Sequence, residues 1–330
     1  MTTDNNTDSI LTELLKTTQV RKLESLQALW SGYGEIARYL DIDNDRSFIV
    51  KTVDPTNKQK HPRDWNSNKS HQRKLSSYHN ERLFYQNYAH LTDAFCRVPK
   101  CIATRSNEDE GSSLSWLVMD DLDALGFSAR SSNPNIQLVK LGLRWLAYFH
   151  AKFLQKECDK LWSIGTYWHL STRPDEWQKM PPSELKLKAA QINVKLNHAQ
   201  YQTLVHGDAK VANFCFNETG TDLAAVDFQY VGKGVGIKDV IYFLGSCLSD
   251  SSLHKDANKL IHYYFELLRH AAAAYACDLD IELVIKEWAS LTPFAWADFE
   301  RFLVGWAPDH AKLNSFSNEQ TAIALRQIEQ

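Results

Sequence analysis

Leu204-Val205-His206-Gly207-Asp208-Ala209-Lys210-Val211-Ala212-Asn213-Phe214-Cys215-Phe216 is the stretch that decides the fold. Between apolar flanks it sets an Asp (208), a Lys two residues on (210) and an Asn five residues on (213). Fourteen residues past Asn213, the apolar run Ala224-Ala225-Val226 ends in Asp227-Phe228-Gln229. Gln200 to Phe216 and Leu223 to Phe228 read as short strands around a loop. Phosphoryl transfer needs these groups: one carboxylate to orient a hydroxyl and take its proton, an amide oxygen and a second carboxylate to hold Mg²⁺ against phosphates, and a cation to offset the transferred charge.

Working outward, the N-terminal third is β-rich. Residues 8–18 read as a short amphipathic helix. Leu26–Trp30, Ile36–Ile42 and Ser47–Val53 read as three strands joined by the turns Ser31-Gly32-Tyr33-Gly34 and Asp43-Asn44-Asp45-Arg46, an antiparallel meander. Residues 54–70 are polar and aperiodic, a loop, and Gln72–Leu91 carries an apolar stripe of helical spacing. Val98–Ala103 and Leu114–Met119 complete the strands, and Asp120-Asp121-Leu122-Asp123 breaks the pattern. From Asn133 onward the texture is helical: Gln137–Leu154, Leu253–Ala276 and Ile281–Leu303. The expected class is α+β, with a seam near 119–123.

At this point a resemblance is plain. HGDxxxxN followed by Asp-Phe resembles the HRDxxxxN and DFG elements of the protein-kinase fold. Gly after the His is the small-molecule-kinase form, similar to the aminoglycoside phosphotransferase and choline kinase superfamily, and Gln after Asp-Phe points to its ecdysteroid-kinase-like branch. The resemblance implies a two-lobed protein-kinase-like fold, a nucleotide-binding lobe over 1–119 and a catalytic and substrate-binding lobe over 120–330. It makes Asp208 the catalytic base, Asn213 and Asp227 the Mg²⁺ ligands, and Lys210 a phosphate-facing cation, with ATP as donor and a small-molecule alcohol as acceptor. Upstream, Phe48-Ile49-Val50-Lys51 resembles the strand element that aims a Lys at the phosphates, and Glu81 would pair with it. Singly, Lys51 also reads as a snorkelling strand residue and Glu81 as a solvated helix charge; their order with the downstream motifs favours the pair. Gly32 and Gly34 stand where a phosphate-binding turn belongs, although a plain hairpin turn uses the same residues. Leu117–Leu122 resembles the hinge at which backbone groups near Val118 and Met119 would meet adenine. Asp239 and His206 are expected to brace the loop.

The bulk numbers exclude other classes. In 330 residues, 44% hydrophobic and 23% charged residues argue for a folded chain. A net charge of −3 gives no field for nucleic acid. The basic loop with Lys58, Lys60, Arg63, Lys69, Arg73 and Lys74 lacks recurring aromatics and reads as solvated. No apolar run approaches the length of a membrane span, so none is expected, and the polar, acidic N-terminus lacks the basic start and apolar run of a signal peptide. The six scattered cysteines lack metal-site spacing and suit a cytoplasmic protein. The acceptor pocket is expected along 165–177 and 292–310, where Tyr167, Trp168, Trp177, Phe294, Trp296 and Trp306 accompany Asp175, Asp298 and Asp309. Such a wall suits an organic cation or a flat apolar alcohol, while core packing of the rings competes with both. A nucleotide-binding module without catalysis and a protein kinase are the rival functions; the intact motifs count against the first, the HGD and DFQ forms against the second. The sequence does not settle oligomeric state.

Overall fold

Residues 2–29, 32–55, 68–107 and 114–329 are described by a computed structural model. The chain divides into two units, Met1–Asp93 with Val98–Ala129, and Ala94–Arg97 with Arg130–Gln330. Trp30 and Ser31 of the glycine turn, and Lys58, Lys60 and Arg63 of the basic loop, lie outside the described residues.

Strand alternation organises the first unit. Its elements are α1 (Thr2–Leu15), β1 (Val20–Ala28), β2 (Gly34–Asp41), β3 (Arg46–Val53), α2 (Asn68–Asn87), β4 (Cys101–Ser106) and β5 (Ser115–Asp120). The strands form one antiparallel sheet in the order β1-β2-β3-β5-β4. Side chains two apart share a face, so Ala37, Tyr39, Phe48, Val50, Trp116 and Val118 line one side, where Leu11 of α1 packs onto them. Val53, with Leu29 and Tyr33, belongs to the other side, under Tyr78 and Leu75 of α2. Each large apolar side chain buried this way contributes about 1.5–3 kcal/mol. β1 begins at Val20, earlier than its composition suggests. Its register against β2 shifts between Lys22 and Glu24 and again between Ser25 and Gln27, which leaves Leu23 and Leu26 as extra residues. β4 begins at Cys101 instead of Val98, because Pro99 has no N–H to give a ladder.

The second unit is mainly helical. It contains α3 (Ile136–Lys152), α4 (Pro174–Lys179), α5 (Glu184–Asn197), β6 (Thr203–Val205), β7 (Phe214–Phe216), β8 (Leu223–Ala225), β9 (Gly232–Gly234), α6 (Ile237–Cys247), α7 (Asp250–Ala274), α8 (Ile281–Ser290), α9 (Thr292–Trp306) and α10 (Ser315–Glu329). Asn135 caps α3: its Oδ1 accepts from the N–H groups of Gln137 and Leu138, each at 3.0 Å. Val139, Leu143, Leu146 and Phe149 bury the stripe read from the sequence, and α3 packs along α7. The single helix expected over Ile281–Leu303 is two, because Pro293 sits in the first turn of α9 and cannot continue a preceding helix. Two short antiparallel pairs, β6 with β9 and β7 with β8, hold the 206–213 loop. Among the described residues no helix is long and apolar enough to cross a membrane.

Candidate active site

The loop leaves β6 at Val205 and reaches β7 through a 3₁₀ turn, Val211–Asn213. Gly207 has φ +81°, and a Cβ there would lie 2.0 Å from the Tyr230 carbonyl oxygen. Only glycine satisfies both conditions, which explains why the residue before Asp208 carries no side chain. Asp239 of α6, fully buried, accepts from the backbone N–H of His206 at 2.5 Å and of Gly207 at 3.0 Å. His150 of α3 lies 3.1 Å from the same carboxylate and 2.8 Å from the Tyr264 hydroxyl. His206 Nδ1 accepts from the Asp208 N–H, and its Nε2 lies 3.0 Å from the Val226 carbonyl oxygen. Asp239 and His206 thus tie the loop to α6 and to the 226–228 segment.

Both Asp208 oxygens have donors. Oδ1 accepts from the Tyr242 hydroxyl at 2.9 Å, and Oδ2 from Lys210 Nζ at 3.0 Å and Asn213 Nδ2 at 3.3 Å. Burial raises the Asp208 pKa, Asp227 adds to the rise, and Lys210 opposes it. Burial also works against the Lys210 charge, but Asp208 and Asp227 outweigh it and hold the ammonium on. Tyr242 is pushed far up by burial and by the Asp208 charge, so it remains a donor.

Asn213 spends its Nδ2 on the Asp208 carbonyl at 2.8 Å and on the carboxylate, so its Oδ1 is the end turned away from Asp208. The Asn213 carbonyl accepts from Val226 N at 3.0 Å, which brings the residue before Asp227 alongside. Asp227 has φ +70°, a left-handed position that Asp tolerates better than most residues, and Gln229 Nε2 donates to its Oδ1 at 2.7 Å. One amide oxygen and one carboxylate suit Mg²⁺, which takes few protein ligands and keeps water and phosphate oxygens. No group of three or more His, Cys, Asp or Glu that could hold a metal ion occurs among the described residues.

The remaining expected residues lie in the first unit. The alternation that buries Val50 with Phe48 turns Lys51 to the α2 side, where its Nζ donates to Glu81 and lies 5.1 Å from the centroid of the Tyr78 ring. Both members of the pair are buried. Gly34 has φ +138°, and a Cβ there would meet the Thr52 carbonyl oxygen at 2.0 Å, so the close approach of β2 to β3 already requires it. Gly32, at φ +74°, opens the same turn. Val118 and Met119 lie within β5, with β3 on one side and β4 on the other. The acidic turn that follows is pinned by Arg38, which donates to Asp121 and Asp123, and by Arg46, which donates to Asp120.

The acceptor wall differs from expectation in part. Tyr167 packs edge-on to Tyr242 and Phe302, which brings the 165–177 segment to the group that holds Asp208. Trp296 and Asp298 are buried in the core. Trp296 is buried against Phe316, and Asp298 is consumed by Arg301 at 2.9 Å and Lys238 at 3.5 Å, all within the core. Removing Asp298 would strand two buried cations, so Asp298→Ala is expected to lower stability by about 3–5 kcal/mol, read as an earlier thermal unfolding midpoint. A variant that unfolds with the parent would exclude the ion triad. Sequence inspection also missed Thr166, a β-branched residue at φ +86° whose N–H donates to Tyr230 O at 3.1 Å while Tyr167 N donates to Gly207 O at 3.1 Å. Nothing in its local sequence signals that conformation.

Residues 170–275 match the model of the ecdysteroid kinase-like family, a span that contains Asp208, Lys210, Asn213, Asp227 and Asp239. The resemblance drawn from the HGD and DFQ forms is therefore borne out over that segment. No curated protein matches the chain. Among solved structures, the ethanolamine kinase of Plasmodium vivax is similar at 10% sequence identity, over 92% of this chain and 82% of its own, with a TM-score of 0.47.

Proposed function

We propose that the chain is an ATP-dependent phosphotransferase that moves the γ-phosphoryl group to a hydroxyl of a small molecule. The observation that carries this is the Asp208 carboxylate, braced through its own loop by Asp239 and flanked by Lys210, Asn213 and Asp227 within the family-matched segment. Asp208 takes the proton of the acceptor hydroxyl as its oxygen bonds to the γ-phosphorus. The bond from that phosphorus to the bridging oxygen breaks, and ADP leaves with the electron pair. Lys210, held charged by its two acidic neighbours, offsets the charge spread over the equatorial oxygens. Asn213 and Asp227 would hold Mg²⁺, which when bound supplies Lewis-acid neutralisation of the phosphates. The first unit would supply the nucleotide-holding groups: the Lys51–Glu81 pair, the turn at Gly32 and Gly34, and the strand carrying Val118 and Met119. A cytoplasmic enzyme suits the cysteines, none of which is in a disulfide among the described residues.

Incubation with Mg–ATP and a pool of alcohols should give acceptor-dependent ADP release and a product heavier by one phosphate. Asp227→Asn should raise the Mg²⁺ concentration needed for half-maximal release, because an amide binds a hard cation less well than a carboxylate. No phosphorylated alcohol from a broad pool would refute the assignment, and an unchanged Mg²⁺ requirement would remove Asp227 from the metal site.

A further inference from the structure

We propose that Lys312, in the segment between α9 and α10, receives an oxyanion presented beside Asp208, either the phosphoryl group in transfer or an anionic substituent of the acceptor; this rests on the phosphotransferase assignment above. Lys312 lies outside the family-matched residues, and no motif pointed to it.

Its ammonium sits on ring faces, 4.6 Å from the Tyr242 centroid and 5.6 Å from that of Phe299. Tyr242 is the residue whose hydroxyl donates to Asp208 Oδ1 at 2.9 Å, so Lys312 is one side chain removed from the base. The other part-buried or buried cations of this wall each have a carboxylate: Lys210 has Asp208, Arg173 has Glu176 at 3.2 Å, and Lys238 and Arg301 share Asp298. Lys312 has no carboxylate within ion-pair distance among the described residues, and ring quadrupoles replace only part of its lost hydration. Burial pulls its pKa down to about 8, against the fields of Asp208 and Cys247 and with that of Lys210, so the charge is held at a cost that an arriving anion would relieve. Such a group is placed where negative charge is handled in phosphoryl transfer.

The test uses the full chain and two substitutions. Lys312→Met keeps the stem that packs on the rings and removes the charge, and Lys312→Arg keeps the charge. In the first arm, calorimetry measures Mg–ADP binding with and without aluminium fluoride, a planar anion in the place of the phosphoryl group. In the second, KM is measured for two alcohols that differ by one carboxylate. If the phosphoryl group is the partner, Lys312→Met loses the fluoride-dependent tightening by at least about tenfold while Mg–ADP alone binds as in the parent. If the acceptor is the partner, only the carboxylate-bearing alcohol suffers in KM. Either loss should be partly recovered in Lys312→Arg. A Met variant that matches the parent in both arms overturns the proposal, and so does a loss that Arg does not recover, since packing alone would then explain it. A parent that shows neither fluoride-dependent tightening nor acceptor-dependent ADP release refutes the phosphotransferase assignment, and the role of Lys312 with it.

Discussion

Asp208→Asn is expected to slow transfer to the acceptor by about 10²–10⁴-fold, the usual contribution of a positioned base, while Mg–nucleotide binding stays close to that of the parent. Asn keeps the shape of the side chain and an oxygen for the Tyr242 hydroxyl, so the loop has little reason to move. It removes the group that would accept the acceptor proton, and it presents nitrogen instead of oxygen toward Lys210 and Asn213. Steady-state ADP release with a saturating alcohol, beside nucleotide binding by calorimetry, separates the two effects. Parental turnover in this variant would eliminate Asp208 as the base. Loss of nucleotide binding in parallel with turnover would mean that the loop had collapsed.

The second large effect concerns stability. Asp239→Ala should lower the urea midpoint of unfolding severely, since it leaves the N–H groups of His206 and Gly207 without an acceptor in a fully buried site. Each orphaned donor costs about 1–3 kcal/mol, and the imidazole of His150 loses its carboxylate as well. Asp239→Asn keeps one oxygen but turns an amide N–H₂ toward a backbone donor, so it should fall between the parent and Ala. Tryptophan fluorescence through a urea series reports both. An Ala variant that unfolds at the parental midpoint would show that the loop is held by something other than α6.

Where local sequence chemistry is self-sufficient, the structure was legible in advance. β2 alternates between faces, β5 is a short continuous apolar run, and the bounds of β2, β3 and β5 fall within a residue or two of the expected ones. The helix α3 carries its own cap and its own stripe. The candidate site was legible because its Asp, Lys and Asn crowd into six residues whose spacing is set by one turn and a short strand. What escaped was decided by tertiary contact. α6 is short, and its buried stretch from Ile237 to Leu244 includes the charged Lys238 and Asp239, whose partners lie on other elements. α5 has a weak apolar pattern and is held by α9 and α10. The aromatic and acidic residues of 292–310 looked like a ligand wall, yet Asp298 meets its partner Lys238 only through a fold that places α6 beside α9. Lys312 had no sequence signal either, because its relation to Asp208 passes through the ring of Tyr242, 70 positions earlier.

The two register shifts in β1 bear on how molecules of this protein behave in company. β1 is an outermost strand, and an outermost strand offers its unpaired backbone groups to any other chain. Here the extra residues Leu23 and Leu26 interrupt the regular spacing twice within nine residues, with the charges of Arg21 and Lys22 before the first interruption and that of Glu24 between the two. Two copies brought edge to edge could not form an uninterrupted ladder along β1. Deleting Leu23 and Leu26 together would smooth that edge, and the shortened protein is expected to associate at lower concentration than the parent by light scattering, even though the deletion removes two leucines exposed at 45% and 44%.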